Sequence, residues 1–318
     1  MKRYKIPILF VALVVVLFAA CDWSKSKTAR TDTEKSGTAV IGCDESFAPI
    51  MDEELTVFTG LNIDADITPV YTSEPELFKM LLDDSLRLIM TARDLTENEK
   101  EYIKQRKLNP RTQRIAIDAI ALIVNTKNTD SLISVQDLKK IMTGEITQWS
   151  QITGAQKSKL GDINVVFDNP NSSTLRFIHD SIAKETKLSD KLSALPTNTE
   201  VLDYVGNTPN ALGIIGVNWV SNPSDSLKLT FRNSIRVMFV SRDAEPTLDN
   251  SYQPIPAYLR TGDYALVRNL YLILTDLRGG LPSGFVKFFA GDSGQRIVFK
   301  AGLVPATAPT RLINLQTE

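Results

Sequence analysis

Between residues 164 and 182 the chain reads NVVFDNPNSSTLRFIHDSI, and its middle carries more hydroxyl and amide side chains than local structure requires. Val165, Val166 and Phe167 form a β-branched and aromatic apolar run, while Leu175, Phe177, Ile178 and Ile182 recur at the spacing of one helix face. A strand should therefore hand over to a helix across Asp168, Asn169, Pro170, Asn171, Ser172, Ser173 and Thr174. Any one of Asn171, Ser172, Ser173 or Thr174 serves as an N-cap, and one cap is enough. The surplus consists of small, directional hydrogen-bond donors with no bulky side chain to keep a ligand from the backbone.

Other chemistries have little to stand on. The single histidine, His179, falls within the amphipathic helix as a polar-face or boundary residue, and with two cysteines in all a His- or Cys-based metal site has too few ligands. The chain holds no G-x-S-x-G elbow, P-loop or dinucleotide fingerprint, and the Gly279-Gly280 pair lacks phosphate-cradling spacing. The acid pairs Glu53-Glu54 and Asp83-Asp84 lie in helical stretches and read as solvated faces. Trp149, Trp219 and Tyr271 fit core packing, with the lining of a sugar or amino-acid pocket as the other reading. The expectation is a protein that binds without catalysing, with no cofactor and no metal.

The N-terminus points to export. Lys2, Arg3 and Lys5 precede an apolar run from Ile6 to Ala20, too short for a confident membrane span and typical of a cleaved signal. Phe18-Ala19-Ala20-Cys21 resembles a bacterial lipobox, in which Cys21 is acylated and becomes the mature N-terminus. Residues 21–36 then read as a polar, aperiodic tether from the membrane. With Cys21 carrying lipid, Cys43 has no partner and is expected to be a buried thiol. Loss of Lys2, Arg3 and Lys5 leaves 33 basic against 37 acidic residues, a net charge of −4 that offers nucleic acid no electrostatic footing.

About 280 residues follow the tether, enough for two lobes with separate cores. TAVIGC, DADITPVY and LRLIMTA read as strands separated by the helical stretches FAPIMDEELTVFTG and EPELFKMLLDD, a βαβ rhythm that implies a mainly parallel sheet. The apolar run IAIDAIALIVN interrupts it, a second α/β unit follows through VQDLKKIMTG, INVVF, TLRFIHDSIAKE, EVLDYVGN and ALGIIGV, and a second long run, ALVRNLYLILT, comes late. SGFVKFFAGDSGQRIVFKAG reads as one last helix. Two apolar strands bracketing a complete α/β unit suggest a chain that crosses into a second lobe and returns, with the hinge at the crossings.

From about residue 37 onward, the order of DESFAPIMDEEL, IMTARDLTENE, IDAIALIVN, VQDLKKIMTGEITQWSQI, NALGIIGV and YLILT with GDSGQRIVFKAGLVP resembles the periplasmic phosphate-binding proteins of ABC transporters. These are two-lobed type 2 solute-binding proteins. The resemblance implies an α/β fold in which each lobe is a mainly parallel sheet flanked by helices, with lobe 1 at residues 37–115 and 270–318 and lobe 2 at 116–269. It also implies an oxyanion held in the cleft by backbone N–H groups and hydroxyls at helix starts. Carried over, Asn171, Ser172, Ser173 and Thr174 become the second-lobe half of the site. Ser46 and Phe47 stand where the family's first helix opens on its ligand, and Thr72 and Ser73 repeat the design before EPELFKMLL. For each junction alone, ordinary N-capping is the competing reading.

Two departures bear on the ligand. Phosphate binders of this family typically begin the second-lobe loop with arginine, where this chain has Asp168, and usually carry an aspartate in the first-lobe segment that here reads Thr91-Ala92-Arg93-Asp94. Arg93 either forks onto the anion, pairs with Asp168 across the cleft, or lies on the surface while Asp168 caps its own loop. Arg176, inside the helix, reads as pointing to solvent. The resemblance implies a monomeric, lipid-anchored protein facing the periplasm or cell exterior, which passes phosphate or a related anion to an ABC permease. A sensing or adhesion lipoprotein of the same fold, a binder of a different small solute and a phosphoester hydrolase are the alternatives.

Overall fold

The structure, a computed structural model, describes residues 32–307 apart from 156, 185, 223, 227 and 277. Cys21 and the export signal lie outside the described residues. The chain begins with β1 (Gly37–Asp44), a 3-10 turn at Glu45–Phe47, α1 (Ala48–Leu61), β2 (Ala65–Thr72), α2 (Glu74–Leu82), β3 (Leu88–Thr91), α3 (Glu97–Gln105) and β4 (Arg111–Asn125). It continues through β5 (Leu132–Ser134), α4 (Val135–Thr143), β6 (Asn164–Asp168), α5 (Ser173–Phe177), β7 (Ser193–Leu195), α6 (Asn198–Asn207), β8 (Ala211–Gly216) and α7 (Val217–Val220). The last part holds β9 (Ile235–Val237), β10 (Phe239–Ser241), β11 (Ser251–Tyr252), α8 (Pro256–Thr261), β12 (Val267–Leu274), α9 (Leu281–Ala290), α10 (Asp292–Lys300) and β13 (Val304–Pro305).

The strand order β2-β1-β3-β12-β4-β8-β6-β7 sets out the two expected lobes. In lobe 1, β1 runs parallel to β2 and β3; in lobe 2, β6 runs parallel to β7 and β8. The antiparallel strands β4 and β12 stand between them. Residues 111–119 of β4 pair with β12 and residues 120–124 pair with β8, so one strand of 15 residues, about 50 Å long, belongs to both lobes. From Ile115 on, β4 is almost wholly buried, which explains its mostly apolar run: helices or strands cover both faces. At the crossing, the Ile120 amide donates to the Leu266 carbonyl at 2.9 Å, tying the two connecting segments together.

Parallel strands align their C-terminal ends, and the register brings those ends to one level. Asp44 is opposite Thr72 in the β1–β2 ladder, and Cys43 is opposite Met90, which places Thr91 beside Asp44. In lobe 2, Asp168 closes β6. Open α/β sheets bind ligands beyond these ends. Cys43 is a buried free thiol.

Three local readings need correction. The last helical stretch is two helices, because the chain turns at Gly291 and Gly294 seats so closely that an added Cβ would lie 2.5 Å from the Phe289 carbonyl oxygen. The helix after Thr174 keeps α-geometry for five residues and continues as a wider π-type turn at Ile178–Ala183. Glu54 is fully buried, while Asp83 is exposed as expected. Next to β1, the Asp32 carboxylate caps α9 by accepting from the Leu281 amide at 2.9 Å, and Glu34 pairs with Lys287.

Candidate functional site

The loop after β6 assigns its surplus side chains one by one. Ser172 alone caps α5, its Oγ accepting from the Leu175 amide at 3.2 Å. Asn169 shapes the turn, its Oδ1 accepting from the Asn171 amide at 2.9 Å, while Asn171 itself is exposed. Ser173 and Thr174, freed from capping, are fully buried. The Ser173 hydroxyl accepts from Arg268 Nη1 at 3.0 Å, and the Thr174 hydroxyl has no hydrogen-bond partner.

From lobe 1, Asp44 ends β1 and folds the 3-10 turn by accepting from the Ser46 amide at 2.9 Å. Ser46 then reaches lobe 2 in two ways. Its hydroxyl donates to Asp168 Oδ2 at 3.3 Å, and its carbonyl accepts from Asn218 Nδ2 at 3.0 Å and Trp219 Nε1 at 2.8 Å. Asn198 Nδ2 adds a second donor to Asp168 Oδ2 at 3.1 Å, and Asn169 Nδ2 meets Glu45 at 2.6 Å across the same seam.

The cation at this junction is Arg268, near the start of β12. It stands directly opposite Asp118 in the β4–β12 ladder, and its Nε donates to Asp118 Oδ2 at 2.7 Å. Its guanidinium also lies over the Phe47 ring at 4.8 Å. Burial and the nearby Glu74 charge push the Asp44 carboxyl up to about 6, against the opposing pull of Arg268 and the Ser173 hydroxyl. Burial likewise pushes Asp118 and Asp168 upward, with Arg268 pulling Asp118 back and Ser172, Asn198 and then Arg268 pulling Asp168 back.

Seven polar atoms gathered here lack hydrogen-bond partners although buried: Asp44 Oδ2, Asp118 Oδ1, Asp168 Oδ1, Asn198 Oδ1, Asn218 Oδ1, Thr174 Oγ1 and Arg268 Nη2. Leaving such groups unmade costs about 1–3 kcal/mol each, more when charged, so a cluster of them marks a place that something else completes.

Beside this seat is a second polar cluster with its bonds made. Glu74, buried at the start of α2, accepts from the Thr91 hydroxyl at 3.0 Å and from Arg176 Nη2 at 3.2 Å, with Arg176 Nε on its other oxygen. Arg176 thus spans from lobe 2 to lobe 1 and does not point to solvent. Arg93 Nε stands 3.8 Å from Glu74, but its two terminal nitrogens fork onto Glu99 at 2.8 Å each and its guanidinium covers the Phe78 ring at 3.4 Å. It is not brought to Asp168. Thr72 and Ser73 flank the cleft half-buried, and Ser73 makes no side-chain capping bond.

Of the predicted residues, the structure brings together Ser46, Phe47, Ser173 and Thr174, with Ser172 as their cap; Thr91 and Arg93 join the Glu74 cluster, and Asn171 stands apart. Sequence reasoning missed Arg268, Asp118, Asp44, Glu74, Asn198, Asn218 and the role of Arg176. A signal existed for two of them: Asp118 and Arg268 are lone charges inside long apolar strand runs, where a buried charge needs a partner.

Two lobes joined by shared strands over a buried polar seat define a type 2 periplasmic binding protein. Residues 28–293 match the family model described as a PBP superfamily domain, and the chain belongs to that superfamily. It is similar to the phosphate-binding protein PstS of Borreliella burgdorferi, at 22% identity over 297 residues covering 92% of this chain and 98% of the relative. Among solved structures, a substrate-binding protein of Clostridium perfringens with bound phosphate superposes with a TM-score of 0.70 at 21% identity, over 85% of this chain and 100% of that one. An ABC-type phosphate transport receptor from Vibrio cholerae gives a TM-score of 0.62 at 20% identity, over 85% and 100%. Among the described residues, no helix is long and apolar enough to cross a membrane.

Proposed function

We propose that this protein captures phosphate or a related small oxyanion between its lobes and delivers it to the permease of an ABC transporter. The observation that carries this is the convergence of unpartnered buried atoms from both lobes around Arg268. The names of its relatives support the same ligand class. Five of the seven open atoms are acceptors, and the donors are the Arg268 nitrogen and the Thr174 hydroxyl. A ligand that fits must therefore bring hydrogen atoms as well as negative charge. Hydrogen phosphate brings both, and sulfate at neutral pH brings only charge.

In this reading Ser46, Ser173 and Thr174 touch the anion, Thr72, Ser73 and Asn171 border its entry, and Thr91 and Arg93 act through the Glu74 cluster. The protein is a monomer, with lobe 1 at residues 37–115 and 270–318 and lobe 2 at 116–269. Cys21 bears the lipid that keeps it at the outer face of a membrane, and Cys21→Ser releases it into the soluble fraction.

Isothermal titration of phosphate into ligand-stripped protein, with sulfate and an amino-acid mixture as controls, tests the reading. Saturable phosphate binding, weakened about a hundredfold in Ser173→Ala/Thr174→Ala, is expected. Heat from the amino-acid mixture alone favours a second reading that the excess of acceptors also supports, a solute whose ammonium group faces the carboxylates.

A further inference from the structure

We infer that Arg268 is the cation that grips the ligand and that Asp118 is its positioning residue, an inference that rests on the oxyanion reading above. Three arginines approach the cleft, and two are committed elsewhere: Arg93 to Glu99, and Arg176 to Glu74 and Asp180. Arg268 is only 5% exposed. It spends Nε on Asp118 at 2.7 Å and Nη1 on Ser173 at 3.0 Å, and leaves Nη2 without a partner. Among the described residues, that is the one buried cationic nitrogen without any hydrogen-bond partner.

Its surroundings explain how the guanidinium is aimed. The ladder fixes the Arg268–Asp118 pairing from the hinge strands, Ser173 holds it from lobe 2, and the Phe47 ring holds its face from lobe 1. Gly216 keeps the far side open: a Cβ there would lie 3.7 Å from Nη2 and 2.6 Å from Asn218 Oδ1. Two of the guanidinium's three nitrogens orient it, and the third is presented to the seat. Asp118 thus consumes part of the cation's field while setting its direction, and one fixed cation among Asp44, Asp118 and Asp168 makes the site selective for anions that carry protons.

Phosphate titrations on the wild type and four variants decide this. Arg268→Gln should weaken phosphate by about a hundredfold, and Arg268→Lys, which keeps charge without the fork, by about tenfold. The double variant Arg268→Gln/Asp118→Asn avoids leaving Asp118 unpaired in the interior, so it tests binding in a folded protein. Asp118→Asn retains an acceptor for Nε while returning charge to the ligand, so its affinity should rise about three- to tenfold. A purely structural Asp118 would leave affinity unchanged or lower it, and that result removes it from the proposal. A wild type that binds phosphate together with a folded double variant that binds equally well overturns the Arg268 assignment alone. A wild type that binds none overturns the oxyanion reading on which it rests. A crystal structure of the wild type with phosphate gives an independent check: Nη2 within hydrogen-bond distance of a ligand oxygen is expected, and its absence overturns the assignment.

Discussion

Two polar clusters sit side by side at the meeting of the lobes, and they differ in one respect. Around Glu74 the protein supplies both members of each pair: Thr91 and Arg176 on one carboxylate, Glu99 on Arg93. Around Arg268 it makes the pair with Asp118 and the bond to Ser173 but leaves seven buried atoms open. The first arrangement joins one lobe to the other, and the second is the ligand seat proposed above. Similar residue types, arginines, carboxylates and hydroxyls, therefore complete one another in one place and stay open in the other.

Glu54 tests whether open valence alone identifies a site, and it carries the largest expected effect. Both its oxygens are buried without partners on α1, and burial, aided by the Glu53 charge, pushes its carboxyl up to about 9. A pKa raised on folding means stability that is intact below the unfolded value near 4.5 and lost as pH rises toward 9. Urea unfolding at pH 5 and pH 7 should find Glu54→Gln similar to wild type at the lower pH and about 3 kcal/mol more stable at the higher one. Its phosphate affinity should not change; a drop would make the Glu54 region part of the recognition machinery.

Arg176→Gln comes next and weakens the fastening. It leaves buried Glu74 with less compensation, so a loss of about 2 kcal/mol in stability is expected, along with a larger radius of gyration in the ligand-free protein by X-ray scattering. Phosphate should bind about tenfold more weakly because closure then draws on ligand contacts alone. A variant as compact as wild type would show that the Glu74 cluster does not hold the lobes.

The smallest effects give the sharpest contrast. Thr174→Val removes an open buried hydroxyl and should stabilise the ligand-free protein by about 1 kcal/mol while reducing phosphate affinity. Thr91→Val removes a hydroxyl bonded to Glu74 and should destabilise by about 1 kcal/mol with little change in affinity. Equal signs in the two melting curves would erase the distinction between the clusters.

Much of this fold is legible in the sequence because its strands announce themselves. IAIDAIALIVN and ALVRNLYLILT are long, mostly apolar runs because both faces of β4 and much of β12 are covered. The loop at 168–174 is legible as a candidate site because it holds four capping residues for one helix start, of which the structure uses Ser172 alone as the cap. The remainder was hidden by the same apolar pattern: within those runs Asp118 and Arg268 are single letters, and nothing local says that a ladder sets them face to face. Glu54 was misread through its neighbour Glu53, although Ile50, Glu54 and Phe58 recur every four residues on the buried face of α1. Asp44 and Glu74 are ordinary helix-start acids until the parallel register sets their strand ends beside each other.

The crossing strands have a mechanical corollary. Any swing of one lobe against the other must turn about β4 and β12, since residues on both sides of Ile120 are hydrogen-bonded into one ladder or the other. Displacement in such a swing grows with distance from the axle, so Arg268 and Asp118, which lie on it, travel least. Ser46, Glu74 and Arg176 lie off those strands, on loops and helix starts that each move with one lobe. The Arg268–Asp118 pair sits at the fulcrum, and the Glu74–Arg176 pair closes from lobe to lobe.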